Sequence, residues 1–265
     1  MTSDTGPALG ELSLVGDLVA RERRSERPAL HAAALDRTYS YFDLCNTACK
    51  AGNVLSHVGV REGDRLVVDA DPHPQAVFTF LGAALLGAVT EFDSDPGREC
   101  DARAVVVPVE REDEFDLPGG SKLVAFGGDP VRPATTHWEE EVWSENPAFP
   151  PTFHDPSEPI LRGRVGDAAG DAAGDDGRTY SHADLLAAAG DAVDALDLDA
   201  DSRVGVRAPL SDPRTVAAGV LAPLAAGGVI ALPDGDVSID ATAAVVAGDG
   251  TATENGVLDV VDVTL

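Results

Sequence analysis

The sequence predicts an α/β fold: two three-layer subdomains with mostly parallel sheets. Three observations carry this. Helix-like and strand-like segments alternate, and the strand-like ones (65–69, 88–92, 104–107) are continuous apolar runs, as expected of strands covered on both faces. The pattern occurs twice, since Arg37-Thr-Tyr-Ser-Tyr-Phe-Asp-Leu44 returns as Arg178-Thr-Tyr-Ser-His-Ala-Asp-Leu185. The likeness then continues in order: Gly63-Asp-Arg-Leu-Val-Val68 with Asp201-Ser-Arg-Val-Gly-Val206, and Leu81-Gly-Ala-Ala-Leu-Leu-Gly-Ala-Val89 with Leu221-Ala-Pro-Leu-Ala-Ala-Gly-Gly-Val229. A repeat on that scale duplicates a whole structural unit.

Each element follows from local chemistry. Apolar residues at helical spacing, closed by arginines, predict a helix over 12–24. Two short strands, 29–33 and 38–41, flank a turn at Leu35-Asp-Arg37. Ser40 can cap a helix over 41–57, with Asp43 as its first-turn acid. A turn at 60–64 leads to a strand at 65–69, then an apolar helix over 74–86 that stops at Gly87, then a strand at 88–92. In the second copy Ser181 caps a helix to about 196, followed by a strand at 204–207, a helix at 214–226 and a strand at 229–232. Ala243-Ala-Val-Val246 answers Ala104-Val-Val-Val107. The division is therefore 1–133, a connection over 134–177 and a second unit over 178–265. Residues 166–177 of the connection are a Gly/Ala/Asp repeat with no apolar side chain larger than alanine.

Composition narrows the function. There are 46 acidic and 19 basic residues, a formal charge of −27, and Lys50 and Lys122 are the only lysines. Such a surface repels nucleic acid and anionic membranes, both of which require cationic groups to displace counterions. Acid spread along the whole chain, with lysine nearly eliminated, fits a salt-accumulating cytoplasm, where the Debye length falls to roughly 3 Å at molar salt and self-repulsion is screened. Cys45, Cys49 and Cys100 read as buried free thiols rather than a metal site. The polar start, Met-Thr-Ser-Asp-Thr-Gly, is no signal peptide, and 76–89 is too short to span a bilayer.

The order Arg27-Pro-Ala-Leu30, Tyr39-Ser-Tyr-Phe-Asp-Leu44, Gly59-Val-Arg-Glu-Gly-Asp-Arg65 and Phe80-Leu-Gly-Ala-Ala-Leu-Leu-Gly-Ala-Val89 resembles the N-terminal part of AMP-forming acyl-CoA synthetases and adenylation domains. The resemblance covers residues 12–107 and continues through Trp138 and Asp155-Pro-Ser-Glu-Pro-Ile160. It implies Rossmann-like subdomains and a chemistry in which ATP activates a carboxylic acid before transfer to a thiol. That chemistry implies a Thr/Ser/Gly-rich phosphate loop ending in Pro-Lys-Gly after the strand at 159–161. Here the position holds Leu161-Arg-Gly-Arg-Val-Gly-Asp, running on to Gly177, with Asp167, Asp171, Asp175 and Asp176 in place of hydroxyls and lysine. Arg162 and Arg164 are the cations left to meet a phosphate, and a magnesium bridge by the aspartates is the minor alternative to a solvated loop. The family's Tyr-Gly-x-Thr-Glu motif, ribose-binding aspartate and adenylation lysine would fall beyond Leu265. The second half reads either as the family's second subdomain or as a duplicate of the first.

The expectation is thus a non-catalytic relative of acyl-CoA synthetases acting as a binding or accessory module, without cofactor. The alternative is a divergent or split ligase using ATP/Mg and CoA with a partner chain. A full-length synthetase or a second copy of this chain is the expected partner, the latter through an exposed sheet edge. His73, Gln75, Ser211 and Arg214, at matching strand-to-helix turns, are the candidates for a small-molecule cleft. His182 is expected at the surface of a helix start, and Glu139-Glu-Glu141 on a solvated helix face. No nucleophile elbow, zinc-protease or dinucleotide motif is present.

Overall fold

The computed structural model describes residues 12–165, 177–235, 239–248, 254 and 256–265. The first copy contributes β1 (Pro28–Ala32), β2 (Arg37–Ser40), α1 (Tyr41–His57), β3 (Arg65–Val68), α2 (Pro74–Leu86), β4 (Val89–Phe92), β5 (Ala104–Pro108) and β6 (Lys122–Phe126). β7 (Thr136–His137) and α3 (Trp138–Ser144) follow. The second copy contributes β8 (Pro159–Gly163), β9 (Arg178–Ser181), α4 (His182–Ala195), β10 (Arg203–Val206), a helical run over 213–226, β11 (Val229–Leu232), β12 (Ala243–Val246) and β13 (Gly256–Asp259). The result is a mixed α/β structure with two mostly parallel sheets.

The sheets do not follow the two copies. One has the order β7-β6-β5-β3-β4-β8-β9, the other β13-β12-β10-β11-β1-β2. Each copy therefore gives its opening hairpin to the other copy's sheet: β1 lies parallel to β11, and β8 parallel to β4. Both hairpins are antiparallel and carry the same irregularity, between Pro28 and Leu30 in one and between Pro159 and Leu161 in the other.

The repeated Arg-Thr-Tyr-Ser has a structural reason in each copy. Tyr39 and Tyr180 are buried, with Arg37 and Arg178 lying over their rings at 4.5 and 5.1 Å. Ser40 Oγ accepts from Asp43 N–H at 3.1 Å while Asp43 Oδ2 accepts from Ser40 N–H at 3.0 Å. Ser181 and Asp184 repeat this at 3.1 and 2.9 Å. These reciprocal caps satisfy amides that a helix N-terminus leaves open.

The first helical residue of each copy reaches across the molecule. Tyr41 Oη donates to the Gly228 carbonyl at 2.8 Å, and His182 Nδ1 accepts from Val15 N–H at 3.1 Å. His182 is fully buried, which corrects the expectation of a surface residue. Its place in the helix start was read correctly, but the long-range packing that covers it has no local signature. Burial draws its pKa down to about 4.

Two further expectations change. Residues 12–24 form two 3-10 turns, Val15–Val19 and Arg21–Arg23, rather than one helix. The Asp17 carboxylate turns back to accept from Ser13 and Leu14 N–H at 2.9 and 2.8 Å, and Ala20 is extended (ψ 151°). Glu139 is not simply solvated: its Oε1 accepts from Gln75 Nε2 at 2.8 Å and from Gly127 N–H at 3.0 Å. The three cysteines are free and buried, as read from the sequence.

The paired helices differ between copies. α1 and α2 pack backbone to backbone: a Cβ on Gly82 would stand 2.6 Å from Gly52 N and 2.8 Å from Ala48 O. In the second copy Pro223 lies inside the 213–226 run, and Val216–Leu221 just before it widens into a π-turn. Proline offers no N–H and crowds the carbonyl four residues back, so a widened turn is one way to keep the helix continuous.

Candidate functional site at the strand ends

Parallel sheets place ligands at the carboxyl ends of their strands. Two clefts open there, and the symmetry of the hairpins relates them. The first, of about 540 Å³, is lined by the β1–β2 turn (33–35), by 71–74 leaving β3, by 207–209 leaving β10 and by 233–235 leaving β11. The second, of about 340 Å³, is lined by 91–93 from β4, Gly163 and Arg164 leaving β8, Gly177 entering β9, and Pro209, Ser211 and Asp212 leaving β10. A Leu210 N–H to Ala70 carbonyl bond, 3.2 Å, joins the two β3/β10 exits.

The four candidate residues do not meet in one cleft. His73 precedes α2, lines the first cleft and sets its ring 5.4 Å from Phe126, edge to face. Gln75 is turned away to Glu139. Ser211 lines the second cleft. Arg214 is buried, and its Nη2 donates to Asp212 Oδ2 at 2.7 Å; that hydrogen bond raises its pKa.

The sequence reading passed over the acids that shape the second cleft: Glu91, Asp93 and Asp212. Glu91 Oε2 accepts from Arg65 Nε at 2.7 Å and lies 3.8 Å from Arg162 Nε. Arg164 stands exposed at the cleft wall. The signal for Asp93 and Asp212 was position, since each follows a strand exit of a parallel sheet. Gly163, Arg164 and Gly177, from the two ends of the expected phosphate-loop region, line this cleft, while residues 166–176, with Asp167, Asp171, Asp175 and Asp176, lie outside the described residues.

Beside the clefts each copy anchors its central strand exit with an ion pair, and the polarity is inverted. Asp69, just past β3, takes Arg111 at 2.5 Å. Arg207, just past β10, meets Glu254 at 2.8 Å, and that carboxylate is 1% exposed. The first cleft thus has Arg207 on its wall already held by an internal acid.

Comparison with known proteins gives the class first. Residues 18–91, from the first 3-10 turn through β4, match the sequence model of the family described as AMP-binding enzyme. The individual relatives include 4-coumarate–CoA ligases, acetyl-coenzyme A synthetases and a malformin synthetase. A 4-coumarate–CoA ligase of Vanilla planifolia is 33% identical over 66 residues, 25% of this chain and 12% of that protein. An acetyl-coenzyme A synthetase of Deinococcus radiodurans is 42% identical over 53 residues, 20% of this chain and 8% of the synthetase. The anthranilate CoA ligase AuaEII, solved with anthranoyl-AMP, superposes with a TM-score of 0.77 at 19% identity, covering 91% of this chain and 51% of the ligase. The N-terminal domain of FACL13 from Mycobacterium tuberculosis gives 0.73 at 15% identity, covering 89% and 63%. The fold is that of the N-terminal part of acyl-adenylating enzymes, and the chain spans about half the length of the AuaEII ligase. Among the described residues no helix is long and apolar enough to cross a membrane.

Proposed function

We propose that the chain is a binding or accessory module on an acyl-CoA ligase scaffold and does not itself activate a carboxylic acid with ATP. One observation carries the reading: the cleft at the end of β8 is walled by Glu91, Asp93 and Asp212 against Arg164. Arg162 and Arg214 already face carboxylates. Each carboxylate–phosphate pair at 4 Å opposes binding by about 1 kcal/mol in water and about 4 kcal/mol at an effective dielectric of 20. The residues lining the cleft do not fit a triphosphate, and no step is derived through one. The partner proposed is a full-length ligase or a second copy of this chain.

ATP–pyrophosphate exchange by the purified chain, across a panel of aliphatic and aromatic acids, tests this. Exchange at background is expected, and clear turnover by the chain alone overturns the reading. The second reading, a ligase half completed by another polypeptide, is favoured by the 91% superposition on a ligase of which this chain spans 51%. It predicts that a chain carrying a phosphate loop and an adenylation lysine co-purifies and restores exchange.

A further inference from the structure

We propose that His154, Glu158 and Glu62 form a zinc site that ties the segment entering β8 to the turn between α1 and β3. The three residues offer ligand atoms that all lie within 4.8 Å of one another. His154 and Glu158 lie four residues apart in one stretch and Glu62 comes from a distant one, so the cluster is a product of the fold and independent of the ATP question.

The histidine decides the chemistry. Its side chain is 4% exposed, and its Nε2 stands 3.2 Å from the Leu85 carbonyl oxygen. A carbonyl only accepts, so Nε2 carries the proton, and in the neutral ring the lone pair is left on Nδ1. Nδ1 is buried and has no hydrogen-bond partner. It faces Glu158 Oε2 at 3.3 Å and Glu62 Oε2 at 3.9 Å, and Glu158 Oε2 likewise has no hydrogen-bond partner. In the neutral form the lone pair opposed to two carboxylates is repulsive until a cation, a proton or a metal ion, stands between them. An imidazole oriented by a backbone carbonyl, with its other nitrogen free, is the arrangement in which histidine binds metals.

The donor set selects the ion. One imidazole nitrogen with two carboxylate oxygens suits zinc, whereas magnesium and calcium favour all-oxygen shells. Zinc bonds of about 2.0–2.2 Å place tetrahedral ligands about 3.4 Å apart. The 3.3 Å separation already matches, and Glu62, whose side chain is 65% exposed, has room to close. Gly87 keeps the space clear: at φ +71° it ends α2, and a Cβ there would lie 2.8 Å from His154 Nδ1 and 3.1 Å from Glu62 Cγ. Water would complete the shell, and the ion would pin the approach to the β8–β9 hairpin.

The test is titration of the chelator-stripped full chain with Co²⁺ and then Zn²⁺, read by the visible cobalt bands and by calorimetry. One Co²⁺ per chain, displaced by Zn²⁺, is expected. Loss of an outer-shell partner typically costs 10- to 100-fold in affinity, so Glu158→Gln and His154→Gln should each weaken binding by about 100-fold or more. Glu62→Gln, at an exposed side chain, should retain the fold by circular dichroism and weaken binding at least about tenfold. Absence of saturable 1:1 binding overturns the proposal. So does unchanged affinity in Glu62→Gln and Glu158→Gln, and these two variants decide the matter if His154→Gln does not fold.

Discussion

The two copies share their opening motif and diverge where their strands end. In both, Arg-Thr-Tyr-Ser buries a tyrosine under an arginine and caps the next helix with a serine–aspartate pair. Past β3 and β10 the likeness inverts: the first copy places an aspartate where the second places an arginine, each held by an opposite charge. Scaffold positions are constrained by backbone geometry, which is the same in both copies. The strand exits are free of that constraint, and they are where any ligand selectivity of the copies must differ.

The interlocked hairpins give the sharpest test. Because Tyr39 and Tyr180 each sit in a hairpin that completes the other copy's sheet, Tyr39→Ala and Tyr180→Ala should each cost about 3–5 kcal/mol. Both variants should show one urea transition for the whole molecule, without separate melting of the halves. A biphasic curve in either would break the picture of a single interlocked unit.

A smaller effect separates the copies by pH. Burial alone would raise the Glu112 pKa. It is outweighed by hydrogen bonds from Thr135 and from the Val131 and Arg132 backbone, and by the Arg132 charge, which bring it down to about 2 from a usual 4.5. A carboxylate depressed in the folded state stabilises above its unfolded pKa, and that stability is lost as pH falls from about 4.5 towards 2. Glu112→Gln should cost about 2 kcal/mol near neutral pH and flatten the acid limb of the melting-temperature profile. An unaltered limb would remove Glu112 from the account.

The smallest difference is the most direct comparison. Ser40→Ala and Ser181→Ala should each lose about 1 kcal/mol, since the caps have the same geometry. Chemical denaturation of the pair measures it; a gap well above that figure would mean that the caps carry unequal loads despite equal distances.

Much of the fold was legible locally. The helix over 41–57, the stop of α2 at Gly87 and the serine caps follow from side chains within four residues of one another, as does the strand at 229–232. The 12–24 segment misled because its apolar spacing is satisfied by two short turns as well as by a helix, and Asp17 chooses between them. The candidate site was less legible. His73 and Ser211 were found by their place at strand exits, but Gln75 is drawn to Glu139, 64 positions away, and Glu91 enters only once β8 has paired with β4.

The sequence by itself determined the repeat, the alternation of helix and strand, the acidic charge and the departure from a phosphate-binding loop, because each is a property of residues near one another in the chain. Only the tertiary structure decided that the copies exchange hairpins, that His182 is buried, and that His154 faces Glu62. Those facts depend on which distant surfaces pack together, and burial and charge pairing over such separations have no period or spacing in the chain from which to read them.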